Sequence, residues 1–333
     1  MSNIDKTGRS LKRKNFDQFD SALSCLCFVI YQLIGGILCL YIPSFIGQIL
    51  VEAVFIFATL TVCLTRKVDF FDGTKLNKKV QWTNVLMAVG ISIVTLLAFN
   101  GLTNSFALSL EKLGYTSYLP SVEVKSFGAY MLYVFELCII PAFFEETLFR
   151  GTILSGLKET NKHMAVFVSA LFFMLMHGGP DQTIHQFILG IVLGYVFVYT
   201  GSLILPIIIH FTNNFIAVTI LYIQGSSAVA EATETLSWGQ IGITLLIGLL
   251  MAAVGAYLVY LLIKAMKRNS DNNLSKETPQ GEVVVKEPEA GDIQNQPTKK
   301  NNKLVISAIV MFVVSGAYLV FNWVLTLILG FLR

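Results

Sequence analysis

Two adjacent glutamates and an arginine, Glu145, Glu146 and Arg150, lie in or directly after residues 135–149 (FELCIIPAFFEETLF), a run otherwise almost wholly apolar. Further along, His177 and His210 each close an apolar run, and Asn214 follows His210 by four residues. Carboxylates and imidazoles take and give protons, and an amide donates hydrogen bonds without titrating. Such a set suits activation of a water molecule and stabilisation of the anion that its attack creates. A charge at the centre of a bilayer costs ~2.5–3.5 kcal/mol on insertion scales, against about 0.3–0.6 returned by each Leu or Phe. Two carboxylates and a guanidinium in such a run therefore point to function rather than packing.

Spacing assigns the groups to faces. Glu146 and Arg150 are four residues apart, so on a helix they can pair and cancel each other's insertion cost. Glu145 is turned about 100° from Glu146 and has no partner on its own helix, which leaves it available as a proton acceptor. His210 and Asn214 share one face and can both donate to a single oxygen, as an oxyanion hole requires. Asn213 points away from that face and reads as a helix-contact residue. Pro141 precedes Glu145 by four residues and Pro206 precedes His210 by four, so kinks are expected that free the carbonyls of Leu137 and Ser202 to hold water. His163 reads as interfacial. His185, beside Asp181 after Gly178-Gly179-Pro180, is either a pore-mouth residue or a catalytic one.

The elements that must position these groups are membrane helices. Of 333 residues, 54% are hydrophobic and 14% charged, with the apolar residues in long blocks. This composition predicts an all-α polytopic bundle of eight to nine spans at 21–43, 45–65, 82–100, 128–149, 164–177, 184–200, 202–223, 239–263 and 304–332. The spans at 164–177 and 184–200 are the weak ones. The first apolar run lacks a small-residue cleavage site, so it reads as a span and not a signal peptide. With a cytoplasmic N-terminus, segments 1–20, 66–80, 150–163 and 264–303 hold 5, 5, 3 and 8 Lys or Arg, 21 of the 24, the asymmetry expected of inner loops. Counted from the cytoplasmic boundaries, Glu145 lies about 20 Å deep, His177 about 21 Å and His210 about 14 Å, close enough to meet if their spans are neighbours.

The chain divides into N-terminal spans with an outer interfacial helix (1–126, the helix at 103–113), a core at 127–223, a further span in 224–268, a disordered cytoplasmic linker at 269–303 rich in Asn, Glu, Lys, Pro and Gln, and a last span in 304–333. Gly190-x-x-x-Gly194 signals close helix packing. The five cysteines fall within the predicted spans and show neither metal-finger spacing nor a disulfide framework. The spans lack His-Glu-x-x-His, Gly-x-Gly-Asp and Gly-x-Ser-x-Gly, and they carry no aspartyl pair.

Glu145-Glu146-x-x-x-Arg150, then Phe173-x-x-x-His177, then His210-x-x-x-Asn214, in this order on separate spans, resembles the CPBP family of intramembrane proteases, which comprises the type II CAAX prenyl endopeptidases and the bacterial Abi proteins linked to bacteriocin immunity. The resemblance covers roughly 127–220. It implies that Glu145 and His177 activate water, that His210 and Asn214 hold the oxyanion, and that Glu146 and Arg150 are structural partners. It implies a peptide or lipidated protein as substrate, membrane lipid as surroundings and no nucleic acid. The cofactor is either none or one divalent metal, zinc, held by Glu145, His177 and His210. Without a His-Glu-x-x-His pair the glutamate-driven route is favoured. A bacterial plasma membrane is the expected location, and the linker at 269–303 is a candidate docking segment for a cytoplasmic partner. The final Gly-Phe-Leu-Arg carries no prenylation box, so the chain is not expected to be its own lipidated substrate. The rival readings are a proton-coupled transporter, with the same residues as a relay, and a non-catalytic immunity or scaffold protein.

Overall fold

A computed structural model describes residues 13–42, 44–117, 124, 126–158, 161–224, 236–277 and 302–333. Among them there is no β-strand, only an isolated bridge between Arg13 and Val68. Eight helices are long and apolar enough to cross a membrane, so the expected all-α polytopic bundle is what forms. In chain order the helices are α1 (Gln18–Cys39), α2 (Ser44–Arg66), the short α3 (Phe70–Thr74), α4 (Trp82–Lys112), α5 (Phe127–Leu157), α6 (Lys162–Met176), α7 (Thr183–Thr200), α8 (Ile204–Gln224), α9 (Trp238–Glu277) and α10 (Asn302–Leu332).

Local chemistry sets the ends. Asp17 caps α1 by accepting from Asp20 N–H while the Asp20 carboxylate accepts in return, a reciprocal capping box. Arg13 and Arg66 clamp the fully buried Asp20 at 2.7 and 2.8 Å. Asn161 caps α6 through the N–H groups of His163 and Met164. That helix stops at His177 because Gly178 takes a left-handed conformation and Pro180 follows. At 15 residues, α6 is about 22 Å long, short of a ~30 Å hydrocarbon core. The weak span at 164–177 thus forms as a short helix, with His177 at its inner tip.

Two large apolar cores hold the spans together. In one, Phe28 of α1, Phe55 of α2, Phe149 of α5, Phe173 of α6 and Leu319 of α10 pack together. In the other, Ala88 and Ile91 of α4 meet Leu189 and Leu193 of α7, Ile209 of α8 and Ile263 of α9. Gly190 and Gly194 press α7 onto α6: a Cβ on Gly190 would lie 3.0 Å from the Cα of Ala170, and one on Gly194 2.9 Å from Val166. The small-residue pattern is used as expected.

Four expectations need correction. Residues 103–113 are not a separate interfacial helix. They continue α4 to Lys112, and Gly101, the glycine just before them, is braced where α4 crosses α9 at Gly248. Residues 269–277 and 302–303 of the linker expected at 269–303 are helical, at the end of α9 and the start of α10. Asn269 Nδ2 donates to Asn84 Oδ1 at 3.1 Å and Gln81 Nε2 to the Asn269 carbonyl at 3.1 Å, which ties this end of α9 to the start of α4. Residues 278–301 of that segment lie outside the described residues. Pro206 does not kink a span, because α8 begins at Ile204 and the proline occupies its first turn, where a missing N–H costs nothing. Arg150, counted above among loop charges, is fully buried.

Candidate active site

The helix that carries Glu145 and Glu146 changes its winding twice. Residues Val134–Ile139 and Thr147–Leu154 of α5 are π-helical, and Ile140–Glu146 between them is α-helical. A π segment opens the turn by one residue, re-aims the side chains beyond it and recurs at functional sites. Pro141 follows directly on the first π segment. Three hydroxyls stabilise the second. Thr152 Oγ1 donates to the Thr147 carbonyl five residues back at 3.0 Å and lies 3.0 Å from Thr59 Oγ1 of α2. Ser21 Oγ of α1 donates to the Ile153 carbonyl at 2.9 Å, and Ser169 Oγ of α6 to the Phe149 carbonyl at 3.0 Å. Gly156 lets α1 approach: a Cβ there would overlap Ser21 Oγ and the Asp17 carbonyl.

Glu146 and Arg150 pair as their spacing predicts, with Arg150 Nη1 2.7 Å from Glu146 Oε1 and both side chains fully buried. Arg150 Nη2 donates to the Gly190 carbonyl at 3.1 Å, and its guanidinium lies 4.4 Å from the centre of the Phe173 ring, a cation–π contact in a dry setting. The same Glu146 oxygen also accepts from His210 Nδ1 at 2.9 Å. A carboxylate only accepts, so Nδ1 of His210 carries hydrogen and Nε2 faces away from the pair. Glu146 is therefore more than a partner for Arg150: it orients the imidazole of another helix.

His177 reaches the same place through Phe173. Its Nδ1 donates to the Phe173 carbonyl at 2.8 Å, which leaves Nε2 as an acceptor. The Phe173 ring meets the His177 ring edge-on at 4.7 Å and the His210 ring at 5.8 Å. His177 is half-buried, whereas His210 is almost fully buried. Glu145 is buried beside Glu146, and among the described residues its Oε2 has no hydrogen-bond partner. No hydrogen bond joins it to either imidazole. From α2, the buried Glu52 comes within electrostatic range of Glu145 and of Glu136 on α5.

Asn214 Nδ2 donates at 2.9 Å to the Leu137 carbonyl, the one that Pro141 leaves without its helical donor. The expectation that this carbonyl holds water is corrected: the asparagine takes it, and keeps one amide hydrogen for another acceptor. Asn214 Oδ1 accepts from Asn213 Nδ2 at 3.2 Å, and the same Nδ2 lies 3.4 Å from His185 Nε2. Asn213 thus belongs to the polar centre and is not a mere helix contact, and His185 borders it. His163, by contrast, is exposed in the first turn of α6, at the end away from His177, with Nδ1 2.9 Å from the Tyr195 hydroxyl.

Sequence reasoning passed over Glu52, although a lone carboxylate in the run 45–65 was its signal. It also passed over the role of Asn213, for which α-helical spacing gave no sign. The donors for a metal do not assemble: among the described residues no three His, Cys, Asp or Glu side chains gather as an ion requires. Glu145, His177 and His210 as arranged do not form a ligand set.

The fold and this centre define a polytopic helical membrane protein with a buried Glu-His-Asn cluster deep among its spans. Residues 127–216 match the family model described as type II CAAX prenyl endopeptidase Rce1-like. The segment holds every motif residue from Glu145 to Asn214, so the resemblance drawn from those motifs is borne out there, and it supports an intramembrane CAAX-type protease at the level of the family. No curated protein and no solved structure matches the chain.

Proposed function

We propose that this protein is an intramembrane endopeptidase that hydrolyses a peptide bond near a membrane-embedded or lipidated chain end, with Glu145 as the general base. The observation that carries the reading is the contrast between neighbours. Glu146 is fixed through Oε1 by Arg150 and His210, while Glu145 makes no side-chain hydrogen bond among the described residues; Oε2 of each is buried without a partner. Glu145 takes a proton from water as the water oxygen attacks the scissile carbonyl carbon, and His177 Nε2, held by the Phe173 carbonyl, accepts the other water hydrogen to orient it. The carbonyl becomes an oxyanion. It is held by the remaining N–H of Asn214 and by the imidazole of His210, which Glu146 orients toward it. Glu145 then passes its proton to the leaving nitrogen as the C–N bond breaks.

The test is cleavage of farnesylated and unmodified internally quenched peptides by purified protein in detergent. Wild type is expected to cleave, and Glu145→Ala, His177→Ala and His210→Ala each to lose at least ~10²-fold in kcat. Hydrolysis that survives Glu145→Ala overturns the mechanism, and ion flux lost by the same variants without any cleavage favours a transporter. Metal content measured on active protein, with activity followed across a chelator titration, tests the glutamate-driven route: stoichiometric zinc whose removal stops cleavage would reverse it.

A further inference from the structure

The hydrogen bonds around Asn214 have a fixed direction. The Leu137 carbonyl can only accept, so the Asn214 group facing it is Nδ2, and Oδ1 faces Asn213. The Asn213 group facing that oxygen must donate, which makes it Nδ2, and Nδ2 also approaches His185 Nε2. Every assignment follows from one backbone oxygen. What remains is Asn213 Oδ1, on a side chain only 4% exposed, with no hydrogen-bond partner among the described residues. A buried acceptor left unpaired is costly, so it calls for a donor that arrives from elsewhere.

Building on the proposed peptidase reading, we propose that Asn213 Oδ1 is a substrate-binding acceptor that takes a backbone N–H of the bound peptide next to the bond being cut. A peptide can be cleaved only with its backbone extended and its helical hydrogen bonds given up, and at bilayer depth each exposed N–H needs an acceptor because water is scarce. The substrate lacks an acceptor where the protein lacks a donor. Asn213 adjoins Asn214, which is assigned to the carbonyl oxygen, so a neighbouring N–H of the same extended chain falls within reach. His185 and Asn214 hold the Asn213 amide with its oxygen turned outward from their network, which makes His185 a positioning residue.

The experiment uses the full-length protein and a series of farnesylated, internally quenched peptides, each N-methylated at one peptide bond around the cleavage point. In wild type one N-methyl position is expected to raise KM about tenfold relative to the parent peptide, the worth of one such hydrogen bond. In Asn213→Ala the KM of the parent peptide rises by a similar factor, and the penalty for that one N-methyl group falls to about onefold while the other positions keep theirs. Asn213→Ser, which preserves a small polar side chain, serves as the second variant should the alanine fail to fold. An N-methyl penalty of equal size in wild type and in the variants overturns the inference. Absence of all cleavage by wild type would instead overturn the peptidase reading, and the two failures are therefore distinct.

Discussion

Glu145 and Glu146 are adjacent in the chain, equally buried and opposite in circumstance. Glu146 sits in a closed pairing: one oxygen serves both Arg150 and His210, Arg150 is further held by Gly190, and Phe173 covers the guanidinium. Glu145 sits in an open one: Glu52 lies within electrostatic range, and neither oxygen of Glu145 is held by a hydrogen bond among the described residues, whereas Glu146 is held through one of its two. Removing one partner from a buried ion pair strands the other, so the first half of the centre fixes geometry. The second half holds its group ready for a molecule that the resting protein does not supply.

Substitutions can break or sharpen this contrast. The largest effect is expected from Glu145→Gln, which should lower cleavage by ~10²–10⁴-fold without lowering the midpoint of thermal unfolding in detergent, because no bonded partner is lost. Glu146→Ala should do the reverse in emphasis. It is expected to cost about 3–5 kcal/mol of stability by stranding Arg150, read by denaturant unfolding, and to lose activity along with the fold. Equal destabilisation by the two variants would erase the distinction. Gly190→Ala comes next: a Cβ 3.0 Å from the Cα of Ala170 forces α6 and α7 apart, at about 1–3 kcal/mol, and shifts the carbonyl that holds Arg150. The smallest effect lies outside the membrane, at Asp17. Burial alone would raise the pKa of this carboxyl, but the bond from Asp20 N–H and the charges of Arg13 and Arg66 outweigh burial and hold it below the ordinary 3.8. A lowered value in the folded state means that its contribution is complete above about pH 4 and fades as acid protonates the group. Asp17→Asn should therefore cost less than ~1 kcal/mol at pH 7, with the difference from wild type shrinking toward pH 3 and in high salt.

Much of this centre was legible because charge in an apolar run is so costly. Glu145, Glu146, Arg150, His177 and His210 stand out for that reason alone, and the i, i+4 rule paired Glu146 with Arg150. The bond from Glu146 to His210 was not legible, since residues 64 positions apart meet only after α5 and α8 have packed. Nor were the π turns. Their hydrogen bonds are completed by Ser21 and Thr59, 132 and 93 residues from the groups they contact, so no local pattern encodes them. Pro206 shows the opposite error. A proline in an apolar run reads as a kink, yet a shift of two residues in where α8 begins makes it an ordinary first-turn residue. The ends of α4 and α9 were likewise underestimated, because polar residues such as Asn269 read as loop until their partners at Gln81 and Asn84 are known.

The hydroxyl of Ser21 and the missing side chain of Gly156 have an implication for dissection. The recognisable stretch 127–216 draws the winding of its own key helix from α1 and α2, which lie outside it. An excised fragment confined to that stretch would expose bare carbonyls on the turn that aims Arg150. The smallest autonomous unit is accordingly expected to start before α1, and a core without α1 and α2 would have to rewind α5.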